Sequence, residues 1–171
     1  MIRIIIVILL IFNSLACEPI STVSNNRDIQ QQLPFICITS QSQCEVNSHY
    51  GRFNILFSQI AQDGKIKTEL PFYIQLSFTA LTENKLGEKS LEATGKINKI
   101  ASYLEGKTMF MGKIPVFFQE TNTNALVAES LLASCSEEIM TWRLWFTVEI
   151  LVDGKIQQQG FFIDFDSQRL A

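Results

Sequence analysis

An all-β fold, an immunoglobulin-like β-sandwich of about seven strands, follows from three features of this sequence. Apolar and polar residues alternate with a period of two in one run after another. Gly-, Asn- and Asp-containing turns separate the runs. No segment carries a convincing helical spacing of apolar positions. A closed barrel is the alternative arrangement of the same strands.

The strands are argued in chain order. Phe53, Ile55 and Phe57 alternate with Asn54, Leu56 and Ser58, so one set lines a core face. Phe72, Ile74, Leu76 and Phe78 repeat the pattern against Tyr73, Gln75 and Ser77. Ile97, Lys99, Ala101 and Tyr103 form a third strand with more mixed faces. Ile114 to Gln119 is a fourth, in which Pro115, lacking an N–H, suits a sheet edge or a strand start. Leu126 to Ala133 fits strand or helix by periodicity, and its place between two strands assigns it to strand. Trp142, Leu144, Phe146, Val148 and Ile150 make the longest run, and Asp153-Gly154 then marks a hairpin turn. Gln159, Phe161, Ile163 and Phe165 close the fold. Asp63-Gly64-Lys65 and Asn84-Lys85-Leu86-Gly87 supply further turns. No internal repeat or low-complexity tract stands out.

Ahead of the strands the composition changes. Arg3, the apolar run Ile4 to Phe12 and the small residues of Ser14-Leu15-Ala16 are the parts of a secretory signal, expected over residues 1–16. The run is shorter than the roughly 20 apolar residues that span a bilayer, so a retained anchor is the weaker reading. Ser14-Leu15-Ala16-Cys17 also resembles a bacterial lipobox, with Ser14 where leucine is usual. Lipidation of Cys17 is therefore expected, with a flexible tether over residues 17–35 and the domain over 36–171. Glu18 resembles the sorting pattern for the outer membrane. The expected location is the periplasmic face of a bacterial membrane, outer membrane favoured, with a soluble periplasmic protein as the alternative. The expected partners are the membrane, through the lipid, and another envelope protein.

Removing signal and tether from the 171 residues leaves about 135, enough for one domain with a core. Hydrophobic residues are 47% and phenylalanine alone numbers 13, so core material is plentiful. A net charge of −3 argues against nucleic acid, whose phosphates require a basic face. Lipidation of Cys17 would leave Cys37, Cys44 and Cys135, an odd number, and so one free thiol or an intermolecular bond. A Cys37–Cys44 bridge closing a short loop is favoured. Cys44–Cys135 is the alternative.

No catalytic motif is found, and the chain reads as a non-enzyme. The one histidine, His49, has no nucleophile motif beside it and reads as a surface residue. One histidine and no Cys-x-x-Cys pair rule out a His-rich zinc site. Gly-rich phosphate loops are absent. Glu137-Glu138 reads as a solvated pair. The unusual feature is sulfur: Met109-Phe110-Met111-Gly112 mid-chain, then Cys135, Met140 and Trp142. Thiolate and thioether are soft donors that select copper(I). Methionines at i and i+2 on an extended segment point the same way, and a free Cys135 with Met140 completes a sulfur set. Against this, methionine is a good filler of core gaps, and Trp142 suits a core indole. Lys107 and Lys113 flank the methionines and disfavour a cation.

At Cys37 to Cys44, Met109-Phe110-Met111-Gly112, and Cys135 with Met140-Thr141-Trp142, the sequence resembles a little-described group of Gram-negative exported proteins. More distantly it is similar to FixH/YtkA-like β-sandwiches, which place methionines before a final Trp-bearing strand. The resemblance implies a role in copper handling or cytochrome oxidase assembly, and no reaction. The chain departs from copper chaperones in lacking further His or Met ligands. Two readings result. One is a copper(I)-binding lipoprotein with Met109, Met111, Cys135 and Met140 as ligands. The other is an immunoglobulin-like interaction module without metal, docking through the Ile114–Phe118 region.

Overall fold

The computed structural model describes residues 33–37, 42–59, 65–83, 89–122, 125–152 and 154–170. The expected signal peptide, Cys17 and most of the tether lie outside them, as do most residues of the turns expected at 63–65 and 84–87. Among the described residues there are twelve strands and no helix. They are β1 (Phe35–Cys37), β2 (Gln43–Ser48), β3 (Gly51–Gln59), β4 (Ile66–Lys67), β5 (Phe72–Glu83) and β6 (Lys89–Thr94). Then come β7 (Lys96–Gly106), β8 (Lys113–Val116), β9 (Gln119–Glu120), β10 (Leu126–Ser130), β11 (Ile139–Val152) and β12 (Lys155–Gln168).

The strands form two sheets, a β-sandwich. Sheet one runs β1-β2-β3-β5-β10-β9, and β6 joins it by pairing with β5 beyond the end of β10. Sheet two runs β4-β12-β11-β7-β8. All seven alternating runs contain a strand, β3, β5, β7, β8, β10, β11 and β12, but β8 stops at Val116 rather than reaching Gln119, and β10 stops at Ser130 rather than Ala133. The five others hold six residues or fewer and offer too little chain for a periodic signal. The hairpin turn at Asp153-Gly154 falls where expected, with Val152 pairing Lys155.

Alternation places the inner faces. Along β11, Met140, Trp142, Leu144, Phe146, Val148 and Ile150 are buried and every residue between them is less so. Across the ladder Trp142 faces Phe165, Leu144 faces Ile163 and Phe146 faces Phe161. The sheets lock through rings: Phe53 lies 4.7 Å from Phe78 and 4.6 Å from Phe161, and Phe161 lies 4.8 Å from Phe146. The buried indole of Trp142 donates to the Ser167 hydroxyl at 2.9 Å, so its one polar atom is satisfied. Leu33 and Phe35 pack against the same core.

At two of its sheet changes the chain needs no more than two linking residues. Between β6 and β7 the crossing takes Gly95 alone, whose N–H donates to the Phe78 carbonyl at 2.9 Å. A Cβ there would run into the Phe78 ring, so the corner needs glycine. Between β8 and β9 it takes Phe117 and Phe118.

Candidate functional site

Gly106, the last residue of β7, pairs with Trp142 of β11 and brings the loop after β7 onto the start of β11. The chain bends at Lys107–Met109, and the Lys107 N–H donates to the Thr141 carbonyl at 3.0 Å. From the other side, Arg169 holds the approach to β11: its N–H donates to the Glu138 carbonyl at 2.8 Å and its guanidinium to that of Ser136 at 3.3 Å. The loops carrying the two sulfur segments therefore meet at one end of the sandwich.

Cys37 and Cys44 form a disulfide, and Cys135 is a free, partly buried thiol. The Cys135 Sγ lies 3.6 Å from the Met140 Sδ. Met140 is 3% exposed, so this thioether is held inside, and Cys135 packs partly buried against the same core. A Cβ on Gly106 would collide with both the Met140 methyl and the Met109 carbonyl, so those two groups converge on one glycine. Met109 is 38% exposed, and Met111 is half-buried against the core. Residues 107–112 form a loop rather than a strand, so strand alternation does not orient this methionine pair. The structure thus joins Cys135 to Met140, sets the Met109 backbone beside them, and turns the Met111 side chain toward the core.

The lysines flanking the methionines are engaged elsewhere. The Lys107 ammonium lies 2.8 Å from an Asp164 carboxylate oxygen, and that of Lys113 sits 4.4 Å above the Tyr103 ring. Both partners lie on the outer face of sheet two. The remaining residues weighed for chemistry are exposed: His49 in the β2–β3 turn, and Glu137 and Glu138 before β11. Among the described residues, no group of three or more His, Cys, Asp or Glu is placed to hold a metal ion.

A second cluster, which the alternation did not single out, covers the outer face of sheet two. Arg143 donates to both Asp164 oxygens, at 2.8 and 3.0 Å, and its guanidinium lies 3.8 Å over the Phe162 ring. Trp145 lies 4.8 Å from Phe162, stacks on Tyr103 at 6.0 Å, and donates its indole N–H to Glu105 at 2.6 Å. Burial pushes the Asp164 carboxyl up, but hydrogen bonds and charge from Arg143 and Lys107 outweigh it and hold the group below the usual carboxylate range. The Asp164 hydrogen bond in turn raises Arg143 above its ordinary value, against the desolvation of burial. The sequence signals were the adjacent aromatics Trp145-Phe146 and Phe161-Phe162, which put large rings on both faces where strict alternation expects polar residues outside.

No family model matches the chain, which leaves the FixH/YtkA-like resemblance without support. No curated protein matches it. Among solved structures it is similar to a DUF4785 family protein from Legionella pneumophila, at 13% identity and a TM-score of 0.48. That likeness covers 71% of this chain, and the chain spans 29% of the Legionella protein.

Proposed function

We propose that this is a non-enzymatic, exported envelope protein that binds copper(I) through sulfur. In this reading Cys17 carries lipid and holds the domain at the periplasmic face of the outer membrane. Cys135 and Met140 are the inner pair of ligands, and Met109 and Met111 close over the ion from the facing loop. The role is copper handling or oxidase assembly.

The observation that carries the reading is the 3.6 Å separation of the Cys135 and Met140 sulfurs. A first-row metal–thiolate bond of about 2.3 Å puts two tetrahedral sulfur ligands roughly 3.8 Å apart, close to this spacing. The donor set is soft throughout, as copper(I) selects. Two further facts support it. The Cys37–Cys44 disulfide leaves Cys135 as a thiol. Asp164 and Tyr103 draw the Lys107 and Lys113 ammoniums to the outer face, removing the charge objection.

Anaerobic titration of the exported protein with copper(I) tests this. The expected result is a one-to-one complex that protects Cys135 from alkylation. Replacing Met109 and Met111 by leucine should weaken it at least tenfold, and Cys135→Ala should abolish it. A chain whose Cys135 alkylates equally fast with and without copper(I) is not a copper protein of this kind.

A second reading is favoured by Phe110 and Phe117, which are 90% and 76% exposed on either side of the edge strand β8. Large exposed apolar side chains beside a sheet edge suit an interaction module docking on another envelope protein. Its signature is capture of one defined envelope protein that survives a copper chelator and is lost in Phe110→Ser/Phe117→Ser.

A further inference from the structure

The Cys135–Met140 pair cannot complete a copper(I) shell by itself. Two ligands on opposite sides of the ion, each at about 2.3 Å, would stand roughly 4.6 Å apart. The two sulfurs stand 3.6 Å apart, so both sit on one side of the ion and leave its other side open. Met140 is enclosed, so further ligands approach past Cys135, the less buried member of the pair. The other two candidate sulfurs are not gathered there: Met109 is exposed, and Met111 packs against the core.

The same end of the sandwich carries an exposed apolar surface. Ile139 opens β11 and pairs with Gln168 near the end of β12. Two residues on, the Leu170 N–H donates to the Thr68 hydroxyl at 3.4 Å. The Glu69 N–H donates to the Leu132 carbonyl at 2.8 Å, which brings Leu131 to this end. The loop with Met109 and Phe110 joins through the Lys107–Thr141 hydrogen bond. Of the eleven large hydrophobic side chains exposed among the described residues, five are here: Met109, Phe110, Leu131, Ile139 and Leu170. Such a concentration marks an interaction surface.

The charges on this surface indicate what covers it. Glu137 and Glu138 are exposed, and among the described residues neither has a cationic partner. Arg169 is exposed too, and its guanidinium reaches the Ser136 carbonyl but no carboxylate. The backbone bond from Arg169 to Glu138 nevertheless holds these residues side by side. One surface thus offers unpaired charge of both signs. A two-fold interface sets residue i against j and j against i, so unlike charges on one patch pair twice with those of a second copy. On the outer face of sheet two, by contrast, Asp164 and Glu149 already face their cations within the chain.

We infer, resting on the copper reading above, that copper(I) joins two copies of this chain through this end. Each Cys135 thiol gives its proton to solvent, and each thiolate then bridges two copper(I) ions. Met140 of each copy adds one thioether. Every ion gains two thiolate bonds and one thioether bond, and no electron moves. One position on each ion stays open for a methionine of the facing loop. Two thiolates cancel the charge of two copper(I) ions, so the core can be enclosed between apolar surfaces without an unpaired buried charge. Around it, Phe110 and Ile139 of both copies pack together, and Arg169 of each meets the Glu137-Glu138 pair of the other. The ratio stays one copper per chain, but the binding unit is two chains and two ions.

Anaerobic sedimentation of the exported chain tests this, with Cys17→Ser so that neither lipid nor thiol at residue 17 contributes. Without copper(I) the chain should run as a monomer. With one equivalent it should run as a dimer holding two ions, and X-ray absorption should show a copper–copper shell. The double variants Phe110→Ser/Ile139→Ser and Glu137→Lys/Glu138→Lys change only exposed side chains, so both should keep the parent's denaturant midpoint. Each should weaken the copper-loaded dimer at least tenfold. A copper-loaded monomer overturns the inference and leaves the copper reading standing, whereas a chain that takes up no copper(I) overturns both. A dimer equally stable without copper(I), one lacking the copper–copper shell, or one indifferent to both double variants overturns the inference as well.

Discussion

Asp164 shows how one carboxylate ties an outer face together. It accepts from Arg143 and Lys107, and it keeps the Arg143 guanidinium flat over Phe162. Its folded-state pKa is depressed, so its contribution to stability is present above the unfolded carboxylate value near 4 and is lost as pH falls through the lower folded value. Asp164→Asn should therefore lower stability at neutral pH by about 1–3 kcal/mol, the range for a charged hydrogen-bonded group. It should also flatten the decline in stability below about pH 4, read from urea unfolding at several pH values. No residue of this cluster was legible as a partner of another in the sequence: Arg143 and Asp164 are 21 positions apart and meet only through the β11–β12 register. Cys135 and Met140 were legible as a soft pair. Their 3.6 Å contact was not, because it depends on how Arg169 and Lys107 hold the two loops.

At the level of elements, the long strands were readable and the short ones were not. β11 runs for fourteen residues, and every second position from Met140 to Ile150 is buried, so local pattern and packing agree. β1, with three residues, owes its place to its pairing with β2 and to the disulfide, whose cysteines face each other directly across the ladder. A closed loop this short restricts the unfolded chain by about 2.5 kcal/mol in the chain-entropy account. The variant Cys37→Ala/Cys44→Ala should lose about 2–4 kcal/mol, seen as a lower denaturant midpoint. Phe35 should loosen from Phe162 in the same variant. The five residues from Leu131 to Cys135 show the limit of pattern reading: β10 stops at Ser130, yet Leu132 is fully buried outside any strand.

For the whole molecule, the amino-acid sequence by itself determined the all-β class, the inner face of each long strand, the hairpin between β11 and β12, and the favoured disulfide. Each is local: adjacent side chains on a strand point to opposite faces, and a short loop brings its ends together at little cost. Tertiary structure alone decided which strands share a sheet, where the chain changes sheets, and what lies on the outer face of sheet two. It also decided that Cys135 meets Met140 and that Phe35 meets Phe162. Those outcomes depend on many weak contacts between residues distant in the chain, and no single stretch of sequence encodes a sum of that kind.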